Sequence, residues 1–526
     1  MGLLATFNIT ENLTLGRFIW SVLALIITPF IYRIVYSLYF DPLARFPGPW
    51  YTSSFSSFIA LISVRKQEPE FIHSLVKKYG STLPIRISPT TLFFPRPSAL
   101  KDIYWTPSLN HKTKLYGTGA LGPPHLFSTI EAESHKQLRR ALSNAPWTIG
   151  QLKKKWESRF DTLVTLFIHK MNEHAAADRT ICISDKVAQF AADVMSMISF
   201  GEPFGCVANQ RDEKRILENW RQGLPFFGFI ARCRFFRDQV MNVGFLASWF
   251  LPTFDQAYGM GWLMGEADRQ VTERERQNAE KEFEGMPDFM QQYVHFFFYH
   301  YCLDARYQDN TTLTPLQKRA HVTLLIQAGA DTTATALGSI LRFIASNPSS
   351  LHLAHAEIEK ADQAGLLSTP IQYEETRQHL PYMVACIREG LRLNPPAPNL
   401  FGRVVPEGGK VIDGVFVPGG TEVTTHAFTT QRDVGLYGED AEEFKPERWL
   451  KSEEVMLEYE ASQFTFGMGP RVCLGKDIAI MEMYKLLPEI IRRFDIEIEA
   501  KGSYIVSGGV AYNEGFLGKF HARKTG

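Results

Sequence analysis

The chain has no net charge: 56 Lys and Arg balance 56 Asp and Glu over 526 residues, so no whole-chain basic field exists to draw in nucleic acid. It also has no C-x-x-C pair, and its six cysteines, Cys182, Cys206, Cys233, Cys302, Cys386 and Cys473, are widely scattered. That pattern excludes a disulfide scaffold and places the main body in a reducing compartment. The one G-x-G-x-x-G match, Gly117-Thr118-Gly119-Ala120-Leu121-Gly122, runs straight into Pro123-Pro124 and so opens no helix, and no phosphate loop occurs, so the sequence offers no visible means of binding NADPH or flavin. Ser/Gly-rich linkers, low-complexity tracts and internal repeats are missing too. Length alone suggests several domains, but without linkers one large unit is expected.

What is present begins with a long apolar run. Only Ser21, Thr28 and Pro29 interrupt it from Phe18 to Tyr32, and after Arg33 it resumes from Ile34 to Phe40. A membrane-spanning helix needs about 20 mainly apolar residues, so residues 18–40 are expected to form a single-pass anchor, with Arg33 reaching toward headgroups. A removable signal peptide is the rival, but the run is long and no small-x-small cleavage site follows it. If Arg33 and Arg45 face the cytosol, residues 1–17 are lumenal and the body is cytosolic. Asn8 and Asn12 begin glycosylation triplets in that lumenal tail. Asn310 begins another in the main body, where an unmodified cytosolic turn is the plainer reading. In Phe46-Pro47-Gly48-Pro49-Trp50 two prolines forbid a helix, so residues 41–50 are expected to be a stiff hinge before one domain spanning 51–526.

That domain reads as mainly α with a small β part. Residues 130–395 have helical periodicity, whereas 80–95 and 403–427 are rich in β-branched residues, Pro and Gly. The clearest helix opens at the cap Thr314-Pro315 and meets no breaker until Asn347-Pro348. At 1.5 Å per residue it is about 48 Å long and should cross the whole body.

Near the C-terminus stands Phe466-Gly467-Met468-Gly469-Pro470-Arg471-Val472-Cys473-Leu474-Gly475, followed by an apolar helical run. A thiol at a helix entry meets the positive end of the peptide dipoles and unpaired N–H groups, which favour thiolate. Gly469 and Gly475 remove bulk where a flat cofactor would lie, Phe466 could shield the sulfur, and Arg471 could fork onto a carboxylate. A lone Cys-x-Gly would be an ordinary buried cysteine in a turn. Here every fixed position of Phe-x-x-Gly-x-Arg-x-Cys-x-Gly is matched. In the long helix, Ala328, Gly329, Thr332, Thr335 and Ala336 form a stripe of small residues suited either to close helix packing or to a flat ligand. Asp331 beside Thr332 sets an acid next to an alcohol in mid-helix, a pair suited to relaying protons.

At these residues the chain resembles the cytochrome P-450 superfamily, and the strongest motifs fall in that family's order along the chain. The resemblance implies the family's fold behind one transmembrane helix and haem b as cofactor. It makes Cys473 the axial ligand of the haem iron, set among Phe466, Gly467 and Gly475. It makes Asp331 and Thr332 the oxygen-activating pair, with Gly329 in the same motif. Glu389-Gly390-Leu391-Arg392, and Arg448 in Pro446-Glu447-Arg448, resemble the structural Glu-x-x-Arg and Pro-Glu-Arg elements. His135, Arg139, Arg403 and Arg471 resemble ligands of the haem propionates, with His135 where many members carry Trp.

The implied partners are O2, a lipophilic small molecule, and an NADPH-dependent flavoprotein reductase at the endoplasmic reticulum membrane, with Arg140, Arg471 and Lys476 as docking charges. Within the superfamily the chain looks like fungal microsomal members acting on secondary metabolites, pisatin-demethylase-like enzymes among them. By the same analogy 107–125, 222–250, 397–402 and 508–516 line the substrate pocket. Phe226, Phe227 and Phe229 form either an apolar roof or ordinary packing. Three activities fit: oxygen insertion, haem-thiolate isomerisation, dehydration or coupling without oxygen insertion, and non-catalytic haem binding.

Overall fold

The computed structural model describes residues 4–523 apart from 110, 118–123, 143–147, 242, 244, 246–248, 250, 254, 281–306 and 310, with side chains from Phe18 onward except Ile19 and 278–280. Asn310 and the side chains of Asn8 and Asn12 therefore lie outside the described residues. Among the described residues the body is mainly helical with four small sheets.

The long helix runs Pro315–Ser346. Its start is a capping box: the Gln317 N–H donates to the Thr314 hydroxyl at 3.2 Å, and the Thr314 N–H donates back to the Gln317 side chain at 3.0 Å. It stops at Asn347, whose side chain accepts from the Ser350 N–H and caps the next helix, Pro348–Gln363. Helix Ile183–Phe200 packs along it, close enough that a β-carbon on Gly329 would stand 2.4 Å from the Met195 sulfur. On another side lies helix Pro381–Leu393, where Gly390 admits Ile340.

The strands expected in 80–95 and 403–427 form. Ile85–Arg86, Thr91–Phe93, Glu422–Thr424 and Arg403–Val404 make one sheet in that order, and Lys410–Ile412 pairs with Val415–Val417. The strands after residue 493 were not anticipated: Phe494–Ala500 pairs with Leu517–Ala522, and Ser503–Ser507 with Val510–Glu514. The alternation Phe494-Asp495-Ile496-Glu497 carried the signal, its apolar members buried and its acids exposed.

At the N-terminus a helix runs Leu4–Val35 and tightens into a π turn over Tyr36–Phe40. The stretch long and apolar enough to cross a membrane is Trp20–Phe40. The helix thus begins well before the apolar run. It does break before the prolines, but residues 41–50 are no free hinge. Leu43 and Phe46 are buried in a core with Leu92, Phe94 and Val423.

Candidate active site

Cys473 sits in the turn between the loop after Gln463 and helix Lys476–Arg493, which Gly475 caps. Its N–H donates to the Phe466 carbonyl at 2.8 Å, closing the loop. Gly467 and Gly469 have φ of +70° and +69°, the left-handed region that makes glycine necessary. A β-carbon on Gly469 would lie 2.1 Å from the Tyr104 carbonyl oxygen, so its smallness serves backbone packing and not a cofactor face, as expected from sequence. One on Gly475 would meet no protein atom within 4 Å. Among the described cysteines only Cys473 is exposed. The Gly475 N–H, Arg139 and Lys476 pull its thiol toward thiolate, but although the residue has exposed surface, desolvation by the protein packed around it outweighs them and pushes the thiol up. The helix-entry effect read from the sequence is present and insufficient alone. A metal bound to sulfur would supply the remaining charge.

Beside the loop five basic side chains converge. Arg139, on helix Ala132–Leu142, donates to the Val472 carbonyl at 2.8 Å. Arg471 donates to the Thr129 and Ile130 carbonyls, each at 3.1 Å. Arg403 donates to the Phe401 and Gly402 carbonyls. Lys112, which the sequence reading missed, is buried, donates to the Phe127 carbonyl and lies 4.4 Å from the centre of the Tyr116 ring. His135 is buried, and its Nδ1 has no hydrogen-bond partner.

The electrostatics of this group are one-sided. Burial, then Arg471, Arg403 and Arg139, holds Lys112 well below its ordinary value. Burial and the same cations take His135 down to about 2, and burial with Arg403 takes Arg471 down to about 9. Arg471 points inward here and is half-buried, so it is not the surface docking charge expected. Arg140 and Lys476 are exposed.

Asp331 is fully buried on the long helix, and its Oδ1 accepts from Arg221 Nη2 at 2.7 Å and Nε at 3.0 Å. Its Oδ2 has no partner. Burial pushes the acid up and Arg221 pulls it back down. Arg221 belongs to helix Ile216–Arg232 and also stands 3.8 Å from Asp185. It lies at the wall of a polar cleft of about 890 Å³ that Asp185, Lys186 and Tyr512 also line.

Thr332 does not join the acid. Neighbouring residues point about 100° apart on a helix of 3.6 residues per turn, and the Thr332 hydroxyl donates to the Ala328 carbonyl. The direct acid–alcohol contact suggested by the sequence is therefore not made. Gly329 is accounted for by Met195, whereas Ala328 is exposed in the middle of the buried helix. Phe226 and Phe229 pack with Phe236 in a cluster of their own. Phe227 is buried against the turn at Gly508, where that helix lies so close that a β-carbon on Gly228 would be 2.8 Å from the Gly508 α-carbon.

The structure brings Glu389, Arg392 and Arg448 together, all buried. Glu389 receives Arg392 and Arg448 at 2.8 Å each and the Trp449 indole N–H at 2.9 Å. Arg392 spends its remaining donors on the Gln431 and Ala441 carbonyls, each at 2.7 Å. Burial alone would raise the Glu389 pKa, but the two arginines outweigh it and lower it.

The Cytochrome P-450 family model matches residues 47–505. The chain belongs to the cytochrome P-450 family. Its curated relatives are fungal. The cytochrome P-450 monooxygenase cicH of Emericella nidulans is 28% identical over 90% of this chain and 93% of its own length. Pisatin demethylase of Fusarium vanettenii is 29% identical over 91% and 89%. The cytochrome P-450 monooxygenase aba1 of Botryotinia fuckeliana is 27% identical over 91% and 92%.

As a cytochrome P-450 the chain is an oxidoreductase, a monooxygenase that takes a haem, dioxygen, a substrate and electrons from a redox partner. The residues present fit such a group. Cys473 is exposed, and beside its loop gather Lys112, Arg139, Arg403, Arg471 and His135, whose buried Nδ1 has no hydrogen-bond partner. A porphyrin with two carboxylates suits both features.

Proposed function

We propose that the protein is a haem-thiolate monooxygenase that oxidises a lipophilic small molecule, a secondary metabolite of terpenoid, polyketide or alkaloid class. It would hold haem b through Cys473, be anchored by its N-terminal helix in the endoplasmic reticulum membrane, and receive electrons from an NADPH-dependent flavoprotein reductase. The observation that carries this reading is one exposed cysteine, Cys473, beside a loop on which five basic side chains converge, Lys112, His135, Arg139, Arg403 and Arg471. When bound, the haem supplies the redox chemistry by which one atom of dioxygen enters the substrate and the other leaves as water.

Each residue then has a task. The Cys473 sulfur ligates iron and donates charge to it. Arg139, Arg403, Arg471 and Lys112 would neutralise the carboxylates of the bound haem, and His135, whose Nδ1 is unpartnered, would add a hydrogen-bonding group there. Asp331 holds a proton or yields it at its unpartnered Oδ2, while Arg221 sets that carboxyl's position and charge between the site and the cleft. Thr332, with Ala328 beside it, contributes a hydroxyl on the same helix. Substrate lies among apolar side chains that keep bulk water out.

The test is a reduced carbon-monoxide difference spectrum of wild type and Cys473→Ala, followed by a panel of apolar substrates with reductase and NADPH. A thiolate-type Soret band that vanishes in the variant, and products heavier by one oxygen, support the reading. A band that survives the substitution overturns the ligand assignment, and turnover that puts no atom of labelled dioxygen into the product or a released carbonyl fragment overturns the reaction.

A further inference from the structure

The anchor helix does not end in a loose tether. Arg86, in the first strand and almost wholly buried, donates to the Ser37 carbonyl at 2.8 Å and lies 3.0 Å from the Asp41 carboxylate. The other donor of its fork goes to the Pro89 carbonyl at 2.8 Å. The Ser37 hydroxyl donates to the Ser53 carbonyl at 2.9 Å, and Arg33 Nε donates to the Ser54 carbonyl at 2.8 Å. Arg33 is thus held by the body and does not simply reach for headgroups. One turn earlier Phe30 meets Phe55, ring centres 5.6 Å apart.

The proline segment closes the same joint. The Arg86 N–H donates to the Pro47 carbonyl at 2.7 Å, and a β-carbon on Gly48 would stand 2.2 Å from the Arg86 carbonyl oxygen. Past it, Arg45 donates to the Phe416 carbonyl at 2.5 Å. The joint is therefore held on three sides, by strand, helix and hairpin. Swinging the anchor away would strand a buried guanidinium without its carbonyl and carboxylate, which the low dielectric of the interior penalises heavily.

We propose that this clasp makes the anchor and the catalytic body one rigid unit, so that a lipid bilayer meets the body on a single fixed face. That face continues the exposed anchor: Tyr39 and Phe40 are 75% and 71% exposed, and Trp50 and Leu61 are 53% and 46% exposed. Aromatic side chains at this level suit the headgroup boundary. The occupant is the lipid surface in which the anchor itself sits, so the inference rests on the anchor reading.

The experiment is a pulsed electron-spin distance measurement on the full chain in lipid nanodiscs and in detergent, with spin labels carried by unnatural amino acids at Tyr32 and Lys501. The clasp predicts one narrow distance peak, the same in both media. It predicts broadening in Arg86→Gln and in the double variant Arg33→Gln/Asp41→Asn, whose sites are less buried and whose folding is checked by circular dichroism. A broad wild-type distribution, or a peak that stays narrow in the double variant, overturns the proposal whether or not Arg86→Gln folds. Flotation with liposomes tests the anchor separately: a chain that floats but shows broad distances keeps its anchor and loses its clasp.

Discussion

Two buried groups of charge in this protein are built on opposite rules. Around Glu389 every charge is answered: two guanidiniums, an indole and several carbonyls satisfy one another. Around Arg471 the charges are alike, and burial with the neighbouring Arg403 and Arg139 pulls its pKa down. The first group is complete as folded and holds the body together. The second gathers like charge, the arrangement that an anionic ligand would suit under the proposed function, whereas the first does not. Asp331 lies between the extremes, with one oxygen paired to Arg221 and the other bare.

The largest effect should come from opening the closed group. Glu389→Ala is expected to cost about 3–5 kcal/mol, because it leaves the buried Arg392 without its acid and Arg448 with Asp440 alone, and chemical denaturation of the variant checks it. The pH dependence has a definite sign. Since the folded pKa of Glu389 lies below the ordinary 4.5, its contribution is fully present above that value and fades as pH falls through the lowered one. Glu389→Gln should flatten this acid limb, and an unchanged acid profile would break the account of the network.

Next in size, Asp331→Asn should slow product formation by at least about 100-fold, the usual loss on removing a proton-transfer group, while the carbon-monoxide spectrum stays intact. Turnover close to wild type would remove Asp331 from the chemistry. In the open group the signs reverse. Lys112→Met should stabilise the haem-free protein by about 0.5–2 kcal/mol, the range of single stabilising substitutions, and should weaken haem retention measured by transfer to apomyoglobin. A variant that loses stability without haem would show that this lysine is structural. The smallest effect belongs to Thr332→Ala, which should keep the spectrum and divert part of the electron flow to peroxide. Unchanged coupling of NADPH consumption to product would refute its part in oxygen activation.

What could be read from the chain was what lies within a few residues. The Thr314–Gln317 box, the cysteine loop and Glu389 with Arg392 are short-range patterns, because caps, left-handed glycines and i to i+3 pairs are local physics. Arg221 could not be foreseen as the partner of Asp331, since 110 residues separate them and only helix packing joins them. Lys112 sits in a stretch whose neighbours Thr113 and Lys114 look like any polar loop, and it is burial that gives it meaning. The late strands are different: their alternation was legible and went unused. The prolines at residues 47 and 49 correctly marked the end of a helix. Whether the segment swings or docks depends on Arg86, 39 residues beyond Pro47 and without any local signature.

Where Gly228 meets Gly508, two backbones touch with only hydrogen atoms between them. The spacing between that helix and the C-terminal hairpin is thus fixed at its lower limit, and evolution can adjust it in one direction only. Any side chain acquired at either position must push the two elements apart, so a single methyl group placed there displaces a whole helix.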